Sequence, residues 1–135
     1  WIYLSVKDPK NRLKLLILLP LTILLCDQIG AFIKDFELRV RPFANSNLTT
    51  VKLLVEKGGA INKSFPSNHA FNIVGVSFLF SNIYSEYKKY FWSLAFVIMY
   101  SRIYIGVHYP LDVFFGCIFG ILVSFIIIKL WERYA

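Results

Sequence analysis

Charge is scarce in this 135-residue chain: Asp, Glu, Lys and Arg make up 17% of it, against about 25% in an ordinary soluble domain. Acidic residues are the scarcest, 8 against 15 Lys and Arg, for a formal net charge of +7. A soluble nucleic-acid-binding domain, which concentrates its Lys and Arg on a water-facing surface, does not fit so thin a charge. There is no internal repeat, no low-complexity segment, and no signal peptide with a charged start and a small-residue cleavage site. The only two cysteines, Cys26 and Cys117, fall inside apolar runs. They read as small packing residues and say nothing of the redox compartment. The first residue is not Met, and the chain is expected to be part of something longer.

What the chain has in quantity is apolar surface, 57% of its residues, with 18% aromatic. That excludes intrinsic disorder and points to the membrane. A spanning helix takes roughly 17–25 mostly apolar residues. Leu15–Ile33, Phe91–Val107 and Leu111–Leu130 qualify, and the shorter, more polar His69–Tyr84 lies between them. Four spans are expected, with Trp1–Val6 as the end of an earlier one.

Four spans in order give alternating sides. Lys7, Lys10, Arg12, Lys14, Lys88, Lys89, Lys129 and Arg133 share one side, and the other seven cations share the opposite one. By the positive-inside rule this is a narrow vote for the first side as cytoplasmic. It strengthens if some of the seven are there for chemistry. The long outward loop, 41–66, contains Thr50–Lys57 followed by the helix-stopping Gly58-Gly59. It reads either as a short amphipathic lid or as a solvated loop with one helical turn.

The same parity brings the chemistry-bearing residues to one side. Lys34 and Arg41 follow the first span, Ser67, Asn68 and His69 open the second, Arg102 nears the end of the third, and His108 and Asp112 flank the start of the fourth. Three cations around a point suit an anion with several oxygens, above all a phosphoryl group. Pro66-Ser67-Asn68 before a helix adds backbone N–H groups and a positive dipole end. Two histidines permit one to attack phosphorus and the other to protonate the leaving oxygen. Asp112 is four residues from His108 and shares its face on a continuous helix. If Pro110 starts the helix, Asp112 instead reaches back from the first turn. In either case it can hold one ring N–H and leave the other nitrogen open.

Read in order, Lys34-(six residues)-Arg41-Pro42, Pro66-Ser67-Asn68-His69, and Ser101-Arg102-(five residues)-His108-(three residues)-Asp112 resemble the three-part signature of the type 2 phosphatidic acid phosphatases. This is the PAP2 superfamily, which shares its site with vanadium haloperoxidases. One position departs from the pattern: Asn68 stands where the family usually has Gly, and Asn is among the residues that tolerate left-handed backbone.

The resemblance implies an all-α integral membrane bundle, a single PAP2-like domain of which four of six spans are visible. It implies a lipid phosphatase in which His108 is the nucleophile, forming a phosphohistidine. Asp112 would orient His108, and His69 would act as general acid and then as base. Lys34, Arg41, Arg102, Ser67 and the Asn68 backbone would bind phosphate. It implies no metal and no other cofactor, and the sequence has no carboxylate cluster beside the histidines. The partners implied are a lipid phosphate substrate and the membrane. The compact size and outward basic loop fit bacterial members, with the protein in the inner membrane and its site on the periplasmic side.

Three further features have plainer readings. Asp27, within the first span, is expected to face the bundle interior, neutral or paired with Gln28 or an earlier helix. Arg39 reads as a solvated charge before it reads as a contact to a second phosphate or a headgroup. Gly116 and Gly120 form a GxxxG pair expected to pack closely on a neighbouring helix. Two other functions stay open at this point: a non-catalytic binder of anionic headgroups that uses the cations alone, and a phosphotransferase that passes phosphate to a lipid hydroxyl.

Overall fold

The computed structural model describes residues 8–48, 53–54 and 59–134. Trp1–Val6 lies outside them, as does most of Thr50–Lys57. Leu53 and Leu54 are described and are not helical, and Leu54 N–H donates to the Ile105 carbonyl at 3.3 Å.

Four α-helices stand where the four apolar runs predict them: α1, Arg12–Lys34; α2, Asn68–Ile83; α3, Lys88–Tyr104; and α4, Pro110–Tyr134. Single 3₁₀ turns at Pro42–Ala44 and Ser85–Tyr87 complete the regular structure among the described residues. At 1.5 Å per residue α1 and α4 run about 35 and 38 Å, longer than a hydrocarbon core of about 30 Å. Both are apolar enough to cross a membrane. α2 and α3, at 16 and 17 residues, lie at the short limit of the spanning range. α2 starts at the polar Ser67-Asn68-His69 cap and ends at the 3₁₀ turn that leads directly into α3.

α2 is the centre of the bundle and packs on all three other helices, most extensively on α4. Glycine makes that contact possible. A Cβ at Gly116 would sit 2.7 Å from the Ser67 carbonyl oxygen, and one at Gly120 only 2.5 Å from that of Phe71. The GxxxG pair therefore brings the α4 backbone against the α2 backbone. Ser124 Oγ adds a hydrogen bond to the Gly75 carbonyl at 2.8 Å one turn further on. The far end is closed by Leu15, Leu18 and Leu19 of α1 with Leu79, Phe80, Ile127 and Ile128. There too Tyr84 O–H donates to Asp8, which also accepts from Asn11 at the start of α1.

The outside of the bundle is as apolar as its inside. Leu24, Phe32, Leu94, Phe96, Val97, Phe114 and Ile126 all point outward. In water so much exposed hydrocarbon would be a liability; against lipid it costs nothing, while the helical backbone away from the helix ends is satisfied within its own helix. The chain is a membrane protein. Cys26 is buried and Cys117 half-buried, both as free thiols.

The backbone contact between α2 and α4 is directly testable. Gly120→Ala forces a methyl into backbone at 2.5–2.9 Å, and overpacking of this kind costs about 1–3 kcal/mol. Thermal unfolding in detergent should begin at lower temperature for this variant than for wild type. An unchanged transition would mean that the helices separate readily at this point.

Candidate active site

At one end of the bundle the end of α1, the start of α2, the end of α3 and the start of α4 meet. α4 begins at Pro110, whose missing N–H is an orphan at that position in any case. His108 is therefore outside the helix, and Asp112 reaches back from the first turn. Its Oδ2 accepts the Tyr109 backbone N–H at 3.0 Å and lies 3.7 Å from His108 Nδ1. That last separation is longer than a hydrogen bond. His108 is 4% exposed, and its Nδ1 has no other partner.

Asp112 is completely buried, and its charge is met from three directions. Arg39 Nη1 binds Oδ1 at 2.8 Å, while Ser64 Oγ donates to Oδ2 at 2.6 Å beside the Tyr109 N–H. Burying an ion costs several kcal/mol, and hydrogen bonds to a charged group return about 1.5–3 kcal/mol each. Three such donors bring the cost within reach. Arg39 is thus an ion-pair partner, which corrects its reading as a solvated charge. Ser64 carried no signal of its own. Its position just before Phe65-Pro66-Ser67 would have marked it only if Asp112 had been known to be short of donors.

The first cations are held by backbone. The Lys34 ammonium donates to the carbonyls of Lys63 (3.0 Å), Ser64 (3.4 Å) and Pro66. Arg41 Nε binds the Ala60 carbonyl at 2.8 Å and Nη1 that of Val107 at 3.0 Å, with Nη2 beside Gly59. Gly59 has φ +81°, a backbone state that glycine adopts without penalty. Arg102 binds Ser101 Oγ through Nε at 3.1 Å, and its carbonyl accepts the His108 N–H at 3.3 Å.

Ser67 caps α2. Its hydroxyl faces the Ala70 N–H at 3.4 Å, and its own N–H donates to the Asp112 carbonyl at 3.0 Å. Asn68 is the first helical residue of α2 and needs no left-handed backbone; among the described non-glycine residues only Glu37 has positive φ. Its side chain lies over Gly30 of α1, where a Cβ would meet Asn68 Oδ1 at 2.5 Å. His69 is exposed, within electrostatic reach of Arg102, His108, Arg41 and Lys34.

Below His69 a groove of about 410 Å³ runs between helices, lined by Ile23, Ile73, Val76 and Ile98, with Asp27, Asn68 and Asn72 near the histidine. Asp27 is exposed and accepts from Asn72 Nδ2 at 2.6 Å. The partner shown among the described residues is Asn72 of α2, not the neighbouring Gln28, and Asp27 lines this groove between helices. Among the described residues no three His, Cys, Asp or Glu side chains gather into a metal-ligand set.

The sequence model of the PAP2 superfamily matches residues 15–134. The chain belongs to this superfamily. It is 35% identical over 124 residues to the bacitracin transport permease protein BcrC of Bacillus licheniformis, covering 90% of this chain and 57% of that one. It is 29% identical to a lipid A 4'-phosphatase of Porphyromonas gingivalis over 97% of this chain and 61% of the relative. An undecaprenyl-diphosphatase of Sulfolobus acidocaldarius is 30% identical, with coverage of 90% and 57%. The chain thus spans little more than half the length of these relatives. Its fold matches the crystal structure of a transmembrane PAP2-type phosphatidylglycerolphosphate phosphatase from Bacillus subtilis, with a TM-score of 0.62 and 26% identity over 88% of this chain and 60% of that one.

Within this PAP2 domain, Lys34 supports the segment that carries Ser64 and Ser67. Lys34→Met would leave the Lys63, Ser64 and Pro66 carbonyls without their donor. Hydrogen–deuterium exchange at the Ser64 and Ser67 amides should then rise by about tenfold or more, since each lost charge-assisted bond of about 1.5–3 kcal/mol loosens local closure. Unchanged exchange would show that the segment stands without the lysine.

Proposed function

We propose that the protein is a lipid phosphatase that works through a phosphohistidine at His108. The observation that carries the reading is that His108, facing its buried Asp112, lies with Arg41 and Arg102 within electrostatic reach of His69, which itself lines an apolar-walled groove. An imidazole with a carboxylate at Nδ1 has Nε2 open to attack, the arrangement that fixes tautomer and orientation in nucleophile–base–orienter sites. The 3.7 Å gap closes to a hydrogen bond when substrate binds, as such contacts commonly tighten.

The chemistry balances in two steps. Nε2 of His108 forms a bond to phosphorus as the ester or anhydride P–O bond breaks, and His69 gives its proton to the departing oxygen. Water then attacks the phosphohistidine, His69 takes a proton from it, the P–N bond breaks, and phosphate leaves with both histidines restored. Arg41 and Arg102 meet the charge on the equatorial oxygens, with the α2 N-terminus at Ser67 and Asn68 beside them. The Lys34 ammonium already faces three carbonyls and contributes as a fixed charge. The groove's wall of Ile23, Ile73, Val76 and Ile98 suits a hydrocarbon tail below the phosphate.

The substrate is a lipid carrying a phosphate monoester or diphosphate, as the names of the related phosphatases support. The site opens on the outer face of a bacterial inner membrane. Lys10, Arg12, Lys14, Lys88, Lys89, Lys129 and Arg133 cluster at the opposite, cytoplasmic end.

The decisive test offers purified protein in detergent micelles undecaprenyl diphosphate, phosphatidylglycerol phosphate, phosphatidic acid and lipid A, with phosphate release measured. Release should survive EDTA, be inhibited by vanadate, and fall by about 10³-fold or more in His108→Ala, as for removal of a nucleophile. Full activity in that variant would overturn the mechanism. His69→Ala should lose less with a good leaving group than with a poor one; equal losses would remove His69 from the acid role.

The pH profile supplies an independent check. Burial lowers the His108 pKa below the usual 6.5, with Asp112 pulling upward and Arg41 and Lys34 adding to the depression. The neutral ring is the nucleophile, so the acid limb of kcat/KM should lie below 6.5, and a basic limb should follow at the pH where His69 loses the proton it must donate. An acid limb centred above that value would contradict the assignment.

A further inference from the structure

We infer that Arg39 is a positioning residue for the His108–Asp112 pair, acting through the carboxylate and not on the phosphate. The inference rests on the phosphohistidine reading and adds a part to it that lies outside the three sequence blocks.

Arg39 holds Oδ1 of Asp112 at 2.8 Å, the oxygen that His108 does not face, while Oδ2 lies toward Nδ1 of the imidazole. The guanidinium is itself fixed. Its central carbon lies 5.3 Å from the centroid of the Tyr109 ring and 6.0 Å from that of Phe65, distances at which a cation is attracted to an aromatic face. The backbone is fixed as well: Ser64 N–H donates to the Arg39 carbonyl at 3.1 Å, and Arg39 and Lys63 form a parallel bridge. Ser64 is the residue whose hydroxyl binds the other carboxylate oxygen. One short backbone pairing thus carries two of the donors that grip Asp112, one on each oxygen.

Two points on one carboxylate define its plane, and that plane sets where Oδ2 presents its lone pairs to His108. Without Arg39 the carboxylate keeps Ser64 and Tyr109 N–H on one oxygen and is free to rotate about that oxygen. The buried charge also loses its counter-ion. The imidazole then samples orientations in which Nε2 misses phosphorus, which lowers turnover without changing how tightly the cations hold a phosphate.

The test uses the full chain in detergent micelles, p-nitrophenyl phosphate as reporter substrate and orthovanadate as a probe of phosphate affinity. Arg39→Met should lower kcat about 10- to 100-fold, the range seen for partners that orient a ligating histidine. KM and the vanadate inhibition constant should stay within about twofold of wild type. Added to Asp112→Asn, Arg39→Met should cost little more, because the two act as one unit. Arg39→Lys keeps charge and stem but not the fork; it should fold as wild type and show an intermediate kcat, and it decides the matter should Arg39→Met fail to fold. Vanadate inhibition weakened about tenfold or more, or losses that multiply across the double variant, would make Arg39 a phosphate ligand and overturn the inference. Wild-type kcat in both Arg39 variants would return it to a solvated charge. The phosphohistidine reading fails separately, by turnover that survives His108→Ala, and the inference falls with it.

Discussion

A completely buried carboxylate organises this end of the protein. Asp112 has no water to lean on, so its charge must be met by protein, and each group that meets it is thereby placed. Arg39 and Tyr109 N–H come from the two flanking connections, and Ser64 comes from the segment leading into α2. The Asp112 carbonyl goes further and accepts the Ser67 N–H, tying the cap of α2 to the first turn of α4. Placing His108 is one consequence of a network that also joins the two connections between helices at this end.

The cations show how a site can be built before any substrate is present. Lys34 and Arg41 do not hang in solvent waiting for phosphate; they bind the carbonyls of residues 60, 63, 64, 66 and 107. Those carbonyls are the ones left over where a loop passes beneath helix ends without a ladder of its own. The same side chains can thus hold the loops in shape and supply the field that a phosphoryl group meets.

Much of this was legible in the sequence, for identifiable reasons. Helix positions followed from apolar runs, because lipid allows no other backbone solution. The gathering of Lys34, Ser67, Arg102 and Asp112 followed from parity, because short connections leave successive helix ends facing alternate ways. Gly116 and Gly120 announce the close contact because small residues four apart have one common use on an apolar helix. What stayed hidden was the partner of each polar side chain. Arg39 looked like one more cation beside a loop, and nothing local says that a carboxylate 73 residues away lies within 2.8 Å. Asn72, 45 residues from Asp27, is likewise in reach of it with no local sign in the sequence. Asn68 looked like a backbone substitution for Gly, whereas position 68 is ordinary helix and the accommodation lies in Gly30 across the interface.

The two glycines of α4 also act as a ruler. Since the Ser67 and Phe71 carbonyls rest where Gly116 and Gly120 lack side chains, α2 and α4 touch backbone to backbone. No flexible group between them can absorb a slip. His69 rides on α2, and Asp112 rides on α4 with His108 just ahead of it, so the height of one histidine above the other is set by two missing methyl groups. The distance a proton and a phosphoryl group must span is thus fixed by the meeting of two helix backbones, not by either histidine.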